Sequence, residues 1–184
     1  NITAATLGFA VAPRINAAGR VGDSSRAVEL LLEENISICE KLADVLCADN
    51  IKRQEIETAI FDDAKKMIDE LYDPDLSEAI IVFNKSWHPG VLGIVASKLA
   101  EYSKRTVFVF AGDGDKDIYK GSVRSGDGLP VLEAIKYAAD HVERFGGHAK
   151  AAGLTVKAEK MDDFMKAVRE FSAGFHQDIA PVPE

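Results

Sequence analysis

Two hydrophobic rhythms divide the chain. From about Ser37 to Leu71 apolar residues recur every three to four positions, at Leu42, Val45, Leu46, Ile56, Ile60 and onward to Leu71, with charges between them. That period predicts one long helix, or two nearly continuous ones interrupted around Asp49-Asn50. Such a helix between unlike segments reads as a strut, and its charges as a solvated face. Before it, DSSRAVELLLEEN offers Asp23 or Ser24 as an N-cap and an apolar helical face at Ala27, Leu30 and Leu31. The first twenty residues, NITAATLGFAVAPRINAAGR, are small and apolar, interrupted by Gly8, Pro13 and Gly19. YDPDLSEA closes the long helix with a proline turn.

Beyond it the rhythm changes to short runs. AIIVFN (79–84), TVFVFA (106–111), IYKGSVR (118–124) and GLTVK (153–157) have the length and content of strands. Helical segments lie between and after them, at 89–103 with Pro89 in the first turn, at 129–140 and at 161–175. Alternation in such short units predicts an α/β domain. The tail HQDIAPVPE reads as a linker.

Composition changes little in this picture: 47% hydrophobic and 28% charged residues suit a globular chain with a sizeable core. No apolar run approaches the roughly 18 residues of a membrane span, and no signal peptide opens the chain. Cys39 and Cys47 fall eight residues apart on the long helix. At about 1.5 Å per residue they lie too far apart for a disulfide, so reduced cysteines and a cytoplasmic setting are expected. Beginning on Asn1, the chain reads as a piece of something longer.

Charge matters through its distribution. The net is −8, but residues 36–79 alone carry 12 acidic and 5 basic side chains. Residues 85–150 carry 10 basic and 8 acidic ones, so the glycine-rich half is free to meet an anion.

Five short stretches hold candidate chemistry. AGDGDKDIYKG has the first aspartates of a calcium loop, but Ile118 and Arg124 stand where such a loop needs Gly and Glu, leaving a solvated hairpin. NKSWHPGVLG sets Trp87 and His88 between a strand and a helix N-terminus, a place that favours anions. The bland reading has Trp87 packing on the sheet and His88 capping the helix. KGSVRSGDG puts Ser122 and Arg124 on one strand face, with Ser125 following into a turn, a forked donor set suited to phosphate. A surface arginine on an edge strand is its plain alternative. PRINAAGR carries Arg14, Asn16 and Arg20 in apolar surroundings, where a guanidinium needs a partner from the protein or a ligand. FGGHAKAAG adds Gly146, Gly147 and His148, followed by small alanines that would let a helix begin near a ligand. No metal-ligand spacing, Walker loop or nucleophile elbow accompanies them. The residues collect phosphate-binding groups without a machine for cleavage.

Four motifs in this order, GFAVAPRINAAGR, WHPGVLGIVASKLAE, KGSVRS and FGGHAKAAGLTV, joined by a long charged helix, resemble the RecJ family of single-strand-specific exonucleases in the DHH phosphoesterase superfamily. The resemblance covers about residues 5–172. It implies a mixed-sheet DHH-associated α/β domain at 77–175, preceded by a connecting helix at 36–76 and, at 1–35, the C-terminal edge of a DHH domain, with 176–184 as linker. It also implies 5′-to-3′ phosphodiester hydrolysis of single-stranded DNA in repair and recombination, by Mn2+ or Mg2+ held in a DHH domain these residues lack. The chain itself then binds no metal, is inactive alone, and has as partners a 5′ strand end, the DHH domain and an oligonucleotide-binding domain. On this resemblance Ser122, Arg124 and Ser125 grip the 5′-terminal phosphate, and Arg14, Asn16 and Arg20 line the junction with the DHH domain. Gly146, Gly147 and His148 contact phosphate near the metals, where His148 supports the chemistry. Gly90, after His88, adds a backbone N–H. Alternatives are a DHH-family phosphodiesterase acting on short oligonucleotides or cyclic dinucleotides, and a non-catalytic nucleic-acid-binding module.

Overall fold

A computed structural model describes residues 2–73, 78–114 and 116–179, with no side-chain description at 176–179. The expected proline turn at 74–77 and the tail from 180 lie outside the described residues. The chain forms two compact units, one ending at Ala59 and one starting at Ile60.

In the first unit, α1 (Ala4–Thr6), a π-helical turn (Leu7–Val11) and α2 (Ala12–Val21) follow one another directly. The π turn ends two residues before Pro13, whose ring and missing N–H break the regular ladder. Of the two candidate caps of α3 (Ser25–Leu32), Asp23 supplies the oxygen: its Oδ1 accepts from the Ser25 N–H at 2.9 Å and from the Ser25 hydroxyl at 2.8 Å. The Ser25 amide and hydroxyl hold the Asp23 carboxyl below the usual carboxylate range. Ala18, Ala27 and Leu46 make a small core with Ile15 and Leu30. Leu31, expected on the same face, is 71% exposed instead.

Helix α4 (Ile36–Leu71) is the single long helix of the two alternatives, with no interruption at Asp49-Asn50. Polar side chains break helices when they compete for the backbone, and here both are engaged elsewhere. Asn50 is buried and its Oδ1 accepts from Arg53 Nη2 at 2.9 Å, while Asp49 lies 3.6 Å from Arg26.

The described residues of the second unit form five strands, β1 (Ile80–Asn84), β2 (Val107–Asp113), β3 (Lys116–Arg124), β4 (Arg144–His148) and β5 (Ala151–Lys157), in the order β1-β2-β3-β5-β4. Only β1 and β2 are parallel, and α5 (Leu92–Ser103) supplies the crossover such a pair requires. β2 and β3 form the expected hairpin around Gly114 (φ 60°), and a bulge lies between Gly112 and Asp113. One sheet face packs Phe108, Phe110, Tyr119, Val123 and Leu154 against α6 (Val131–Tyr137) and α7 (Met161–Ile179). Phe164 of α7 stands edge-on to Phe108 and Phe110, at 5.9 and 5.6 Å. On the other face Val107, Val109 and Ala111 are buried, and α5 packs there with Leu92, Val95, Ala96 and Leu99.

Most element ends shift by one to three residues from the sequence reading, and two places differ in kind. The alanines after His148 start no helix: residues 149–150 turn the chain from β4 into β5, which begins two residues earlier than expected. Pairing along both β3 and β4 overrides the helical preference of alanine. The backbone of α7 continues to Ile179, so residues 176–179 are helical where a linker was expected.

Candidate functional site

Strand register assembles the site. β3 pairs with β5 so that Ser122 stands opposite Gly153 and Arg124 opposite Ala151. β5 pairs with β4 so that Gly153 stands opposite Gly146 and Ala151 opposite His148. Residues directly opposite share a face, so Ser122–Gly153–Gly146 and Arg124–Ala151–His148 form two adjacent rows on one side of the sheet. It is the side that α5 covers, because Val109 pairs with Ser122 and Val107 with Arg124. With strands about 4.8 Å apart, Arg124 and His148 flank a floor about 10 Å across. That floor is nearly bare backbone. A Cβ on Gly146 would meet nothing within 4 Å, and one on Gly153 only the Gly121 carbonyl at 3.8 Å.

Helix α5 borders this floor. A Cβ on Gly93, in its first turn, would lie 3.1 Å from Arg124 Nη2 and 3.4 Å from Ser122 Oγ. Arg124 Nη1 donates to Ser122 Oγ at 3.2 Å and to the Val123 carbonyl at 2.8 Å. The Ser122 oxygen accepts from the guanidinium, so its own hydrogen stays available to an incoming acceptor. A guanidinium, a hydroxyl donor and the positive end of a helix therefore converge, an arrangement suited to a phosphate group.

Gly93→Ala separates this arrangement from stability. Alanine favours a helix over glycine by up to about 1 kcal/mol, yet the methyl must push the flexible end of Arg124 aside. Tm should hold or rise while affinity for a phosphorylated ligand falls about tenfold, as read by paired thermal unfolding and binding titrations.

Other expected residues are placed differently. The Gly90 N–H donates to His88 Nδ1 at 3.1 Å, so His88 caps the turn before α5 and this amide is engaged within the chain. Trp87 is buried, and its Nε1 donates to Asp63 Oδ2 at 2.8 Å. His148 lies on the exposed strand β4, where its Nδ1 accepts from the Lys150 N–H at 3.3 Å. In the neutral ring this leaves Nε2 as the N–H donor. The two glycines before it differ in their reasons. Gly146 faces open space, whereas a Cβ on Gly147 would lie 2.4 Å from the Ala151 carbonyl oxygen and 2.5 Å from Ala152 Cα. Gly147 is thus explained by the closeness of β5. Ser125, just past β3, donates its N–H to the Lys150 carbonyl at 3.0 Å.

In the first unit, α2 carries Arg14, Asn16 and Arg20, but not as one cluster. Asn16 and Arg20, four residues apart, share an exposed face. Arg14 instead donates from Nε to Cys47 Sγ at 3.2 Å and from Nη1 to the Ala10 carbonyl.

Sequence reading did not single out Ala151 or Gly93 at the floor and its border, and met Gly153 only as one of the three glycines of FGGHAKAAG. A signal was present: small residues alternate at 151 and 153 beside a Ser-x-Arg strand, but only the register shows that they face it. Among the described residues no group of three or more His, Cys, Asp or Glu side chains could hold a metal ion. No described helix is long and apolar enough to cross a membrane.

Known proteins share this architecture. The single-stranded-DNA-specific exonuclease RecJ of Bacillus subtilis is 38% identical over 182 residues, 97% of this chain and 23% of that protein. The Haemophilus influenzae RecJ is 41% identical over 168 residues, 88% of this chain and 29% of its own. The crystal structure of RecJ from Thermus thermophilus in complex with Mg2+ aligns with a TM-score of 0.82 at 35% identity, covering 94% of this chain and 26% of that one. A structure of exonuclease RecJ bound to manganese aligns at 0.81 with 34% identity, covering 97% and 44%. The chain spans less than a third of the length of the curated relatives it matches. The DHHA1 domain family matches residues 76–174, which take in the whole described sheet and the α5 border of its floor, and the chain belongs to that family.

Proposed function

We propose that the chain is the substrate-binding part of a RecJ-like exonuclease that degrades single-stranded DNA from the 5′ end in repair and recombination. The observation that carries this reading is the pair of rows on the α5 side of the sheet. Ser122 and Arg124 take the 5′-terminal phosphate, the Gly153–Gly146 floor admits the backbone that follows, and His148 offers Nε2–H across it. Holding the end rather than the middle of a strand would set the 5′-to-3′ direction.

One solved RecJ structure is in complex with Mg2+ and another is bound to manganese, and on this reading hydrolysis by the whole protein would use such an ion. The described residues do not fit such a site, so the work assigned to this chain is binding and orienting the strand. In the whole protein the metals would be held by a DHH domain. The first unit supports that arrangement, since it presents Leu7, Phe9, Leu31 and Leu32 as exposed apolar side chains suited to the edge of a larger domain. On this reading residues 1–35 are that edge, 36–76 connect, and 77–175 bind the strand.

Fluorescence polarisation with a short strand, with and without a 5′ phosphate, tests the proposal when wild type and Gly153→Thr are compared. Wild type should prefer the phosphorylated strand, with affinity falling as salt rises. Threonine suits a strand and finds open space at 153, so Tm should hold while binding drops about tenfold. Equal affinity for both strands would overturn the 5′-end assignment.

A further inference from the structure

The first turn of α5 serves the phosphate site only if the loop that leads into it is held in place. We infer that Asp63, on α4, is the positioning residue that holds this loop and thereby sets how well Ser122 and Arg124 take a 5′-terminal phosphate. The inference deepens the reading of that pair given above and rests on it.

The tolerance at the site is small. A Cβ on Gly93 would lie 3.1 Å from Arg124 Nη2 and 3.4 Å from Ser122 Oγ, so a slight shift of the first turn of α5 would crowd them or part from them. Hydrogen bonds to a phosphate weaken steeply once distance and angle are lost. The span from Trp87 to Gly93 is short and stiff. His88 caps it, Pro89 has a fixed backbone angle, and the Val91 N–H donates to the His88 carbonyl at 3.4 Å. Where Trp87 sits, the first turn of α5 must follow.

The loop's own bonds fix its shape. Asn84 Oδ1 accepts from the Ser86 N–H at 3.0 Å and from the Ser86 hydroxyl at 2.9 Å, and the Asn84 carbonyl accepts from the Trp87 N–H at 3.2 Å. Two neighbours fix where that shape lies. On β2 a Cβ at Gly112 would lie 2.8 Å from the Lys85 carbonyl oxygen, so the sheet stands directly against the loop. On α4, in the part of the helix that belongs to the second unit, one oxygen of Asp63 reaches both ends of the loop. Its Oδ2 accepts from Trp87 Nε1 at 2.8 Å and from Asn84 Nδ2 at 3.4 Å. Trp87 is buried, so removing the carboxylate strips a buried N–H of its acceptor, and the ring must shift to recover one. Asp63 thus acts through Trp87 and not on the ligand.

Helix α4 holds the far end of α5 by a similar bond, which provides a control. Tyr102, about 13 Å along the helix from Gly93, donates its hydroxyl to Asp69 Oδ1 at 2.8 Å. Asp63 and Asp69 are both exposed helical positions where alanine is well tolerated, so their variants should fold. Polarisation titrations would measure the ratio of affinities for a short strand with and without a 5′ phosphate in wild type, Asp63→Ala, Asp63→Asn, Asp69→Ala and Arg124→Ala. Acrylamide quenching of Trp87, the single tryptophan, reports the loop in the same proteins.

Asp63→Ala should lower the 5′-phosphate preference about tenfold and make the indole easier to quench. Loss of a negative charge would by itself tighten binding of an anionic strand, so the expected sign is opposite to that of a general electrostatic effect. Asp63→Asn keeps an acceptor oxygen and should retain most of the preference and the wild-type quenching. Asp69→Ala should lower Tm but leave both readouts unchanged, and Arg124→Ala should lose the preference with quenching unchanged. A wild-type preference in Asp63→Ala, or a loss without a change in quenching, would overturn the inference. So would an equal loss in Asp63→Asn, which would make charge the cause, or in Asp69→Ala, which would reduce Asp63 to a general support of α5. In each of these cases the phosphate site itself stands if Arg124→Ala loses the preference. A preference retained by Arg124→Ala would sink the site and this inference with it.

Discussion

Gly121→Ala is expected to destabilise the second unit by about 3 kcal/mol, the upper part of the usual range for overpacking a core. Gly121 lies on β3 directly before Ser122, with its missing side chain directed at the buried face. A Cβ there would sit 2.3 and 2.6 Å from two ring carbons of Phe110 and 2.9 Å from Leu154 Cδ2. The ring has nowhere to go: Phe110 is fully buried and stands edge-on to Phe164 at 5.6 Å. Relief must therefore come from the strand itself, which also carries Ser122 and Arg124. Calorimetry should show Tm falling by about 10 °C, taking a few degrees per kcal/mol for a unit of this size. Strand binding should weaken along with it. A Tm within 2 °C of wild type would mean that Phe110 has another rotamer open to it, and that the tight packing behind the site is misread.

Gly121 also marks where the sequence stops being legible. The strand–helix alternation, the long helix and the shared face of Ser122 and Arg124 follow from periodicity, because each depends on spacing within one element. The rows do not. Nothing local tells that Gly153 and Ala151 lie between Ser122–Arg124 and Gly146–His148, since this depends on β5 joining the sheet between β3 and β4. The expected helix after His148 failed for a related reason, as alanine's intrinsic preference yielded to two flanking strands. The glycines of FGGHAKAAG looked alike in sequence and proved unlike in space: Gly146 keeps a surface open, Gly147 accommodates its neighbours, and Gly153 forms the floor. Arg14 shows the same limit. Its apolar surroundings called for a partner, and only the fold shows that Cys47 and the Ala10 carbonyl provide one.

Arg124→Lys should cost nearly as much binding as Arg124→Ala, although it keeps the charge. A guanidinium presents a planar fork of donors, and here Nη1 is already committed to Ser122 Oγ and the Val123 carbonyl while Nη2 lies toward the first turn of α5. That commitment fixes the plane of the fork beside the hydroxyl. An ammonium is a compact point charge that cannot bond both neighbours and still present a donor in the same plane. A charge-assisted hydrogen bond contributes about 1.5–3 kcal/mol, so removing the fork should weaken binding of a 5′-phosphorylated strand roughly 10- to 100-fold. The loss should be much smaller for a strand ending in a 5′ hydroxyl, because the fork then holds no terminal phosphate. Charge alone would predict a different order, with lysine close to wild type and alanine far below it. Polarisation titrations of the three proteins at one salt concentration distinguish the two cases. Near-wild-type binding by Arg124→Lys would show that the site attracts phosphate by charge alone, and the forked geometry drawn from Ser122 and Gly93 would have to be given up.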